Sequence, residues 1–147
     1  MRINTKTRYA TRALLELVLH EGRAAVSLQQ IAARQEISSK YLESLFNALR
    51  NAGIVSSTRG PQGGYRLARP AEQVSLRDLY EIFESQEAFV ACLSLPESCG
   101  RSADCVAKEA WCEFYQKSMQ VLEGITLADL AKRARERVEA ETLDYVI

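Results

Sequence analysis

The segment from Ser27 to Ala52, SLQQIAARQEISSKYLESLFNALRNA, constrains this chain more than any other. Ser27 with Gln30 three residues on makes a capping box, and Leu28, Ile31 and Ala32 give a short helix its inward face. Gln35, Glu36 and Ile37 form a turn. Ser38 or Ser39 then caps a longer helix that runs to about Ala52. A short helix, a tight turn and a longer helix make the helix-turn-helix pattern. The longer helix divides cleanly. Tyr41, Leu42, Leu45, Leu49 and Ala52 form its apolar face; Lys40, Glu43, Ser44, Asn47, Arg50 and Asn51 form the other. Short donors and acceptors with two cations suit base edges and phosphates in a major groove. An ordinary solvated face holds more Glu and Lys and less Ser and Asn.

The flanks extend this reading. Residues 5–21 are expected to form a first helix with Tyr9, Ala10, Ala13, Leu14, Leu17 and Val18 as its buried stripe, ended by Gly22. Arg8 and Arg12 lie near its start, where the helix dipole disfavours cations, and so hint at an external anion. His20, the only histidine, reads as a surface residue serving the helix end. After the helix-turn-helix, Gly53 stops the chain and residues 54–58 read as a β-branched strand. Arg59-Gly60-Pro61-Gln62-Gly63-Gly64 reads as a turn and Tyr65-Arg66-Leu67 as the return strand. A hairpin in that place is a wing. Arg59 stands at its tip, with Arg66 and Arg69 on the return, and the glycines serve either backbone approach to a phosphate or the turn itself. The formal net charge is zero, but residues 1–70 hold 11 Lys+Arg against 4 Asp+Glu, and residues 71–147 hold 8 against 15. A basic half beside an acidic half points to a polyanion meeting the first half alone.

Downstream, Ser75 and Asp78 open a fourth helix through about Ser85, with Leu76, Leu79, Ile82 and Phe83 inward. All four cysteines follow within 21 residues, at Cys92, Cys99, Cys105 and Cys112. Pro96, Gly100, Ser94, Ser98 and Asp104 make the first part of that stretch a loop. Grouped thiols bind soft metals or iron–sulfur clusters, pair as disulfides, or act as redox switches. The N-terminal segment shows no uninterrupted apolar run, and no stretch approaches a bilayer span, so a cytoplasmic protein without a membrane partner is expected. Structural disulfides are rare there. Zinc sites favour ligand pairs two to four residues apart, which this spacing lacks. Asp104 to Glu123 is expected to form a long helix whose Trp111, Tyr115, Met119 and Leu122 make an apolar stripe suited to pairing with a second copy. On that helix Cys105 and Cys112 share a face about 10.5 Å apart, too far for a disulfide. Thr126 and Asp129 cap a last helix, with Leu127, Leu130, Ala131 and Ala134 inward and Lys132, Arg133, Arg135 and Arg137 outward. The final ETLDYVI is expected to be loosely ordered.

These residues resemble the Rrf2 family of bacterial winged-helix regulators, most closely its IscR-like members. The likeness covers about residues 1–130 and rests on MRINTKTRYATRALLEL, ISSKYLESLFNALRNAGIVSS, RGPQGGYRLARP, the cysteine loop, Ala110-Trp111 and ITLADL. The resemblance implies a homodimer on palindromic double-stranded promoter DNA, and an iron–sulfur cluster of the 2Fe-2S or 4Fe-4S kind held by Cys92, Cys99 and Cys105. It also implies that Ser38, Glu43, Arg59 and the backbone at Gly60 and Pro61 read or grip DNA. The chain departs from the pattern at the fourth ligand. Where IscR-like members carry a histidine three residues after the third cysteine it has Lys108, and where NsrR-like members carry an aspartate in the first helix it has Arg8. Cys112 is the spare thiol; Glu109 or an external small thiol are the other candidates.

The fold expected is mostly α: a winged helix-turn-helix over residues 1–84 with a small β-hairpin wing, a cysteine-rich cluster-binding loop over 85–104, and a long C-terminal dimerisation helix with a last helix over 105–147. The expected function is a DNA-binding transcriptional regulator, a repressor, controlled by a cluster or redox state at Cys92, Cys99, Cys105 and Cys112. Its DNA-binding set is Ser38, Ser39, Lys40, Glu43, Ser44, Asn47, Arg50, Arg59, Gly60, Pro61 and Arg66. The rivals are a metal-free thiol switch and an electron carrier. An enzyme is not expected, because there is no base–nucleophile pair, no spare histidine and no cofactor-gripping loop.

Overall fold

The computed structural model describes residues 3–22, 24–84 and 90–144. Helix α1 spans Thr5–Leu19 and buries Ala10, Ala13, Leu14, Leu17 and Val18, the stripe read from the sequence. Its N-cap is Asn4, whose side-chain oxygen accepts from the Thr7 N–H at 2.9 Å and whose amide donates to the Phe83 carbonyl at 2.8 Å. One residue thus caps α1 and ties it to a segment 79 positions away. Helix α2 (Leu28–Gln35) carries the expected Ser27–Gln30 capping box. Glu36 takes a left-handed conformation, φ 55°, to turn the chain into α3 (Ser39–Asn51), which is capped by Ser38. Arg12 does not wait for an external anion. It donates to the Gln35 side chain at 2.9 Å and to the Gln35 carbonyl at 2.7 Å, and its guanidinium lies over the Tyr9 ring. It therefore satisfies a carbonyl at the α2 C-terminus, where cations are favoured.

The core gathers on the inner side of α3. Leu42, Leu45, Phe46 and Leu49 are buried there against Leu14, Ile31 and Ile54. Phe46 belongs to this stripe although the apolar face was drawn through Tyr41 and Ala52; Ala52 is instead the exposed C-cap. Strands β1 (Val55–Thr58) and β2 (Gly64–Leu67) pair antiparallel, with Val55 opposite Leu67 and Thr58 opposite Gly64. Val26 bonds to Tyr65 in both directions on the other edge of β2. Gly64 allows this approach. It has φ +157°, and a Cβ there would stand 2.5 Å from the Val26 carbonyl oxygen. A Cβ at Gly63 would overlap the Thr58 carbonyl oxygen, so both of these glycines serve the wing's own fold.

Helix α4 (Leu76–Phe83) starts at the expected Ser75–Asp78 capping box. It ends at Phe83 with Glu84 as an extended C-cap, short of the expected Ser85, which itself lies outside the described residues. Arg69, expected on the wing's outer return, turns inward and donates to Asp78 at 3.1 Å. Burial alone would raise the Asp78 pKa, but hydrogen bonds from Ser75 and the charge of Arg69 outweigh it and hold the carboxyl below its usual range. The short helix α5 (Ala91–Ser94) and a single turn at Pro96–Ser98 lead to α6 (Val106–Glu123). Cys105 is the N-cap of α6, not a residue within it, so the straight-helix spacing to Cys112 does not apply.

Helix α7 (Leu127–Asp144) returns to the first helix. Leu127 is fully buried and Ala131 nearly so, both within the core that contains Leu14 and Phe46. The Leu127 N–H donates to the Val74 carbonyl at 2.8 Å, and the Leu76 N–H to the Ile125 carbonyl at 2.9 Å. The loose end expected over ETLDYVI is corrected as far as Asp144. The chain stays helical there, in a stretch rich in good helix formers. Tyr145, Val146 and Ile147 lie outside the described residues. Among the described residues no helix is long and apolar enough to cross a membrane.

Candidate nucleic-acid interface and thiol site

The buried stripe of α3 forces its other side outward. Ser39, Lys40, Glu43, Ser44, Asn47, Arg50 and Asn51 are all exposed. Arg50 donates to the Asn47 side chain at 3.3 Å, pairing a cation with an amide on one patch. The Ser38 hydroxyl accepts from the Tyr41 N–H at 3.2 Å, so this serine organises the positive end of the helix. Free N–H groups at such an end suit a phosphate. Phe46, on the buried side, meets the Tyr65 ring edge-on at 4.7 Å between centroids, which locks the wing to α3.

At the wing tip Arg59, Gly60 and Pro61 are exposed, and a Cβ at Gly60 would meet nothing within 4 Å. Backbone at that point is open to a close approach. Arg66 is exposed too but pairs with Ser56 further down the hairpin. It borders a cavity of about 140 Å³ with Leu17, His20 and Glu21 at the end of α1, so it stands at the wing's base. His20 contacts the Glu16 carbonyl through Nδ1 at 2.7 Å and Arg34 through Nε2 at 2.6 Å, the helix-end role expected of it.

The four cysteines are free thiols. Cys92 lies half-buried on α5, Cys99 is exposed after the Pro96–Ser98 turn, Cys105 caps α6 half-buried, and Cys112 is half-buried further along it. Helix α5 packs against α6, which brings Cys92's segment to the helix that carries the last thiol. The Cys112 sulfur accepts a hydrogen bond from the Gln116 side chain at 3.6 Å. Among the described residues no three Cys, His, Asp or Glu side chains stand close enough together to hold a metal ion. The donor chemistry nevertheless fits a soft metal or an iron–sulfur cluster, which thiolates ligate. No residue from Val90 to Ser118 is buried, so the core does not fix where these sulfurs lie.

Sequence reasoning missed Asn4, Arg12 and Phe46, which tie α1 to the end of α4, α1 to α2, and the wing to α3. Only Phe46 had a local signal, its place one turn from Leu42 and Leu49.

The comparisons with known proteins agree with this architecture. The Rrf2 family pattern, described as an iron-dependent transcriptional regulator, matches residues 3–133. The protein rrf2 of Nitratidesulfovibrio vulgaris is 41% identical over 134 residues, which cover 91% of this chain and 89% of that protein. The structure of T. potens IscR aligns with a TM-score of 0.75 at 36% identity, covering 93% of this chain and 90% of that one. The structure of CymR, the global cysteine regulator of B. subtilis, aligns with a TM-score of 0.77 at 32% identity, covering 90% and 98%. With its winged helix-turn-helix and a match over most of its length, the chain belongs to the Rrf2 family: it is a DNA-binding transcriptional regulator and not an enzyme.

Proposed function

We propose that this regulator binds double-stranded promoter DNA as a homodimer and that its operator affinity follows the state of the thiols from Cys92 to Cys112, held as an iron–sulfur cluster. The observation that carries the reading is mechanical continuity. Helix α6 begins just after its N-cap Cys105, packs against α4, and leads into α7, whose Leu127 and Ala131 share the core of the reading head. A shift at the thiols is thereby passed along one helix to the elements that position α3. A bound cluster would supply iron that gains or loses an electron or is lost altogether. Cys92, Cys99 and Cys105 are the ligands from the loop, with Cys112 the fourth. Of the stripe expected to pair, Met119 is buried within the chain and Tyr115 and Leu122 are half-buried; the apolar surface exposed along α6 is instead that of Val106, Trp111, Phe114 and Val121, and it supports pairing with a second copy. Val121→Glu is expected to turn the dimer into a monomer in sedimentation velocity runs; an unchanged dimer places the seam elsewhere.

Reading of DNA is assigned to Ser38, Ser39, Lys40, Glu43, Ser44, Asn47 and Arg50 on α3, with Arg59, Gly60 and Pro61 at the wing tip and Arg66 at its base. Arg59→Ala is expected to weaken binding to all sequences alike and to flatten the salt dependence by about one unit of slope. Glu43→Ala is expected to relax the choice of base at one position, where a good contact discriminates by about 1–3 kcal/mol. Selection from random DNA, with binding titrated at several salt concentrations, separates the two effects. Equal behaviour of both variants and wild type removes this assignment.

The central test is metal analysis of protein purified without oxygen, followed by operator binding before and after chelation. Brown protein containing iron and sulfide is expected, with an affinity change of about tenfold, or 1.4 kcal/mol, on iron removal. Serine at Cys92, Cys99 or Cys105 is expected to abolish both iron uptake and that change. A second reading, a metal-free thiol switch, is favoured by the exposed free thiol of Cys99. Colourless, iron-free protein whose DNA binding responds to peroxide selects it. Serine variants that bind as wild type does in every state overturn both readings.

A further inference from the structure

Lys108 lies in the first turn of α6, three residues after its N-cap Cys105 and four before Cys112. Its ammonium folds back onto the preceding turn. It donates to the Ser102 hydroxyl at 2.6 Å and to the Ser102 carbonyl at 3.2 Å. Ser102 is half-buried while Arg101, Ala103 and Asp104 around it are exposed, so the contact draws the middle of the turn onto the helix. Each end of the latched pair holds a cysteine. The Ser102 N–H donates to the Cys99 carbonyl at 3.0 Å, and the Lys108 N–H donates to the Cys105 carbonyl at 3.1 Å. A continuous set of hydrogen bonds therefore runs from Cys99 through Ser102 and Lys108 to Cys105. Its central link is charge-assisted and so the strongest of the set.

We propose that Lys108 is the latch of the thiol site: a positioning residue, and not a ligand, that clamps the Cys99–Cys105 turn to α6 through Ser102 and so sets the spacing of those two sulfurs. This role at the site rests on the reading given under the proposed function; the latch itself belongs to the metal-free chain. A protonated amine has three donors and no lone pair to offer a metal. Its positive charge also stands in the first turn of α6, beside the turn where thiolate ligands gather negative charge.

Lys108→Met keeps length and removes the donor; Lys108→Arg keeps charge and donors; Ser102→Ala removes one of the two acceptors. In the metal-free protein, alkylation of the half-buried Cys105 by iodoacetamide, mapped by mass spectrometry, is expected to run about 5- to 10-fold faster in Lys108→Met, the scale of one net hydrogen bond. Amide exchange across residues 99–105 is expected to rise with it. Lys108→Arg is expected to restore wild-type rates to within about twofold, and Ser102→Ala to show a smaller acceleration than Lys108→Met. After anaerobic reconstitution, Lys108→Met is expected to take up iron but to release it to a chelator several-fold faster. Unchanged alkylation and exchange rates in Lys108→Met overturn the latch. Loss of all iron uptake in that variant with an unaltered metal-free loop also overturns it, because Lys108 is then a ligand. If wild-type protein takes up no iron, the cluster reading fails while the metal-free rates still decide the latch.

Discussion

Phe46→Ala is expected to lower the free energy of unfolding by about 3–5 kcal/mol, the usual cost of emptying a buried aromatic site. Phe46 is fully buried, on the inner side of the helix whose outer side carries the proposed DNA-reading set. Its ring meets Tyr65 edge-on, and such a pair adds about 0.5–1.5 kcal/mol to the burial itself. The void opens where α3, α1 and the wing converge, so no single neighbour can close it. Against a whole stability of about 5–15 kcal/mol this is a large fraction. Urea melts followed by far-UV circular dichroism measure it, with Asn47→Ala on the exposed side as a control expected to stay within about 0.5 kcal/mol. Loss of operator binding in Phe46→Ala should then appear where the variant unfolds and not where it is folded. A change below about 1 kcal/mol in Phe46→Ala would show that the site collapses without cost and that this ring does not join wing to helix.

Helix α7 is the second test. Leu127→Ala is expected to cost about 2–5 kcal/mol, although residue 127 lies far along the chain from the helix-turn-helix. Its side chain is fully buried in the same core as Leu14 and Phe46, and its N–H bonds to Val74. Removing every residue after Gly124 is expected to do more. The α1 face that Leu127 and Ala131 cover would meet water, and the Leu76 N–H would lose the Ile125 carbonyl. A winged helix cut at Gly124 is therefore expected to unfold cooperatively below the melting temperature of the full chain, with one transition in each protein. If the shortened chain melts as the full one does, α7 is an appendage and the route from the thiols to the reading head is broken.

Much of this protein was legible in its sequence because the signals are short. The three capping boxes at Ser27, Ser75 and Thr126 each need only a hydroxyl and a partner three residues later, a pattern one helical turn long. The polar face of α3 follows from helical periodicity, and the hairpin from its β-branched and glycine-rich segments. The thiol spacing and the basic first half are composition, and need no fold to be seen.

What the fold alone decided are contacts between distant residues. Asn4 reaches Phe83 across 79 positions, and Arg12 reaches Gln35 across 23; in the sequence each is merely a polar residue near a helix start. Arg69 looks like a third wing cation until its bond to Asp78 is seen. The long helix starts one residue after Cys105 and not before it, and the preceding turn is tied to it through Lys108 and Ser102. Local patterns bias backbone angles over three or four residues. The partner that a side chain finds depends on which faces the packed helices bring together, and that is set only once the common core, Leu127 included, has closed.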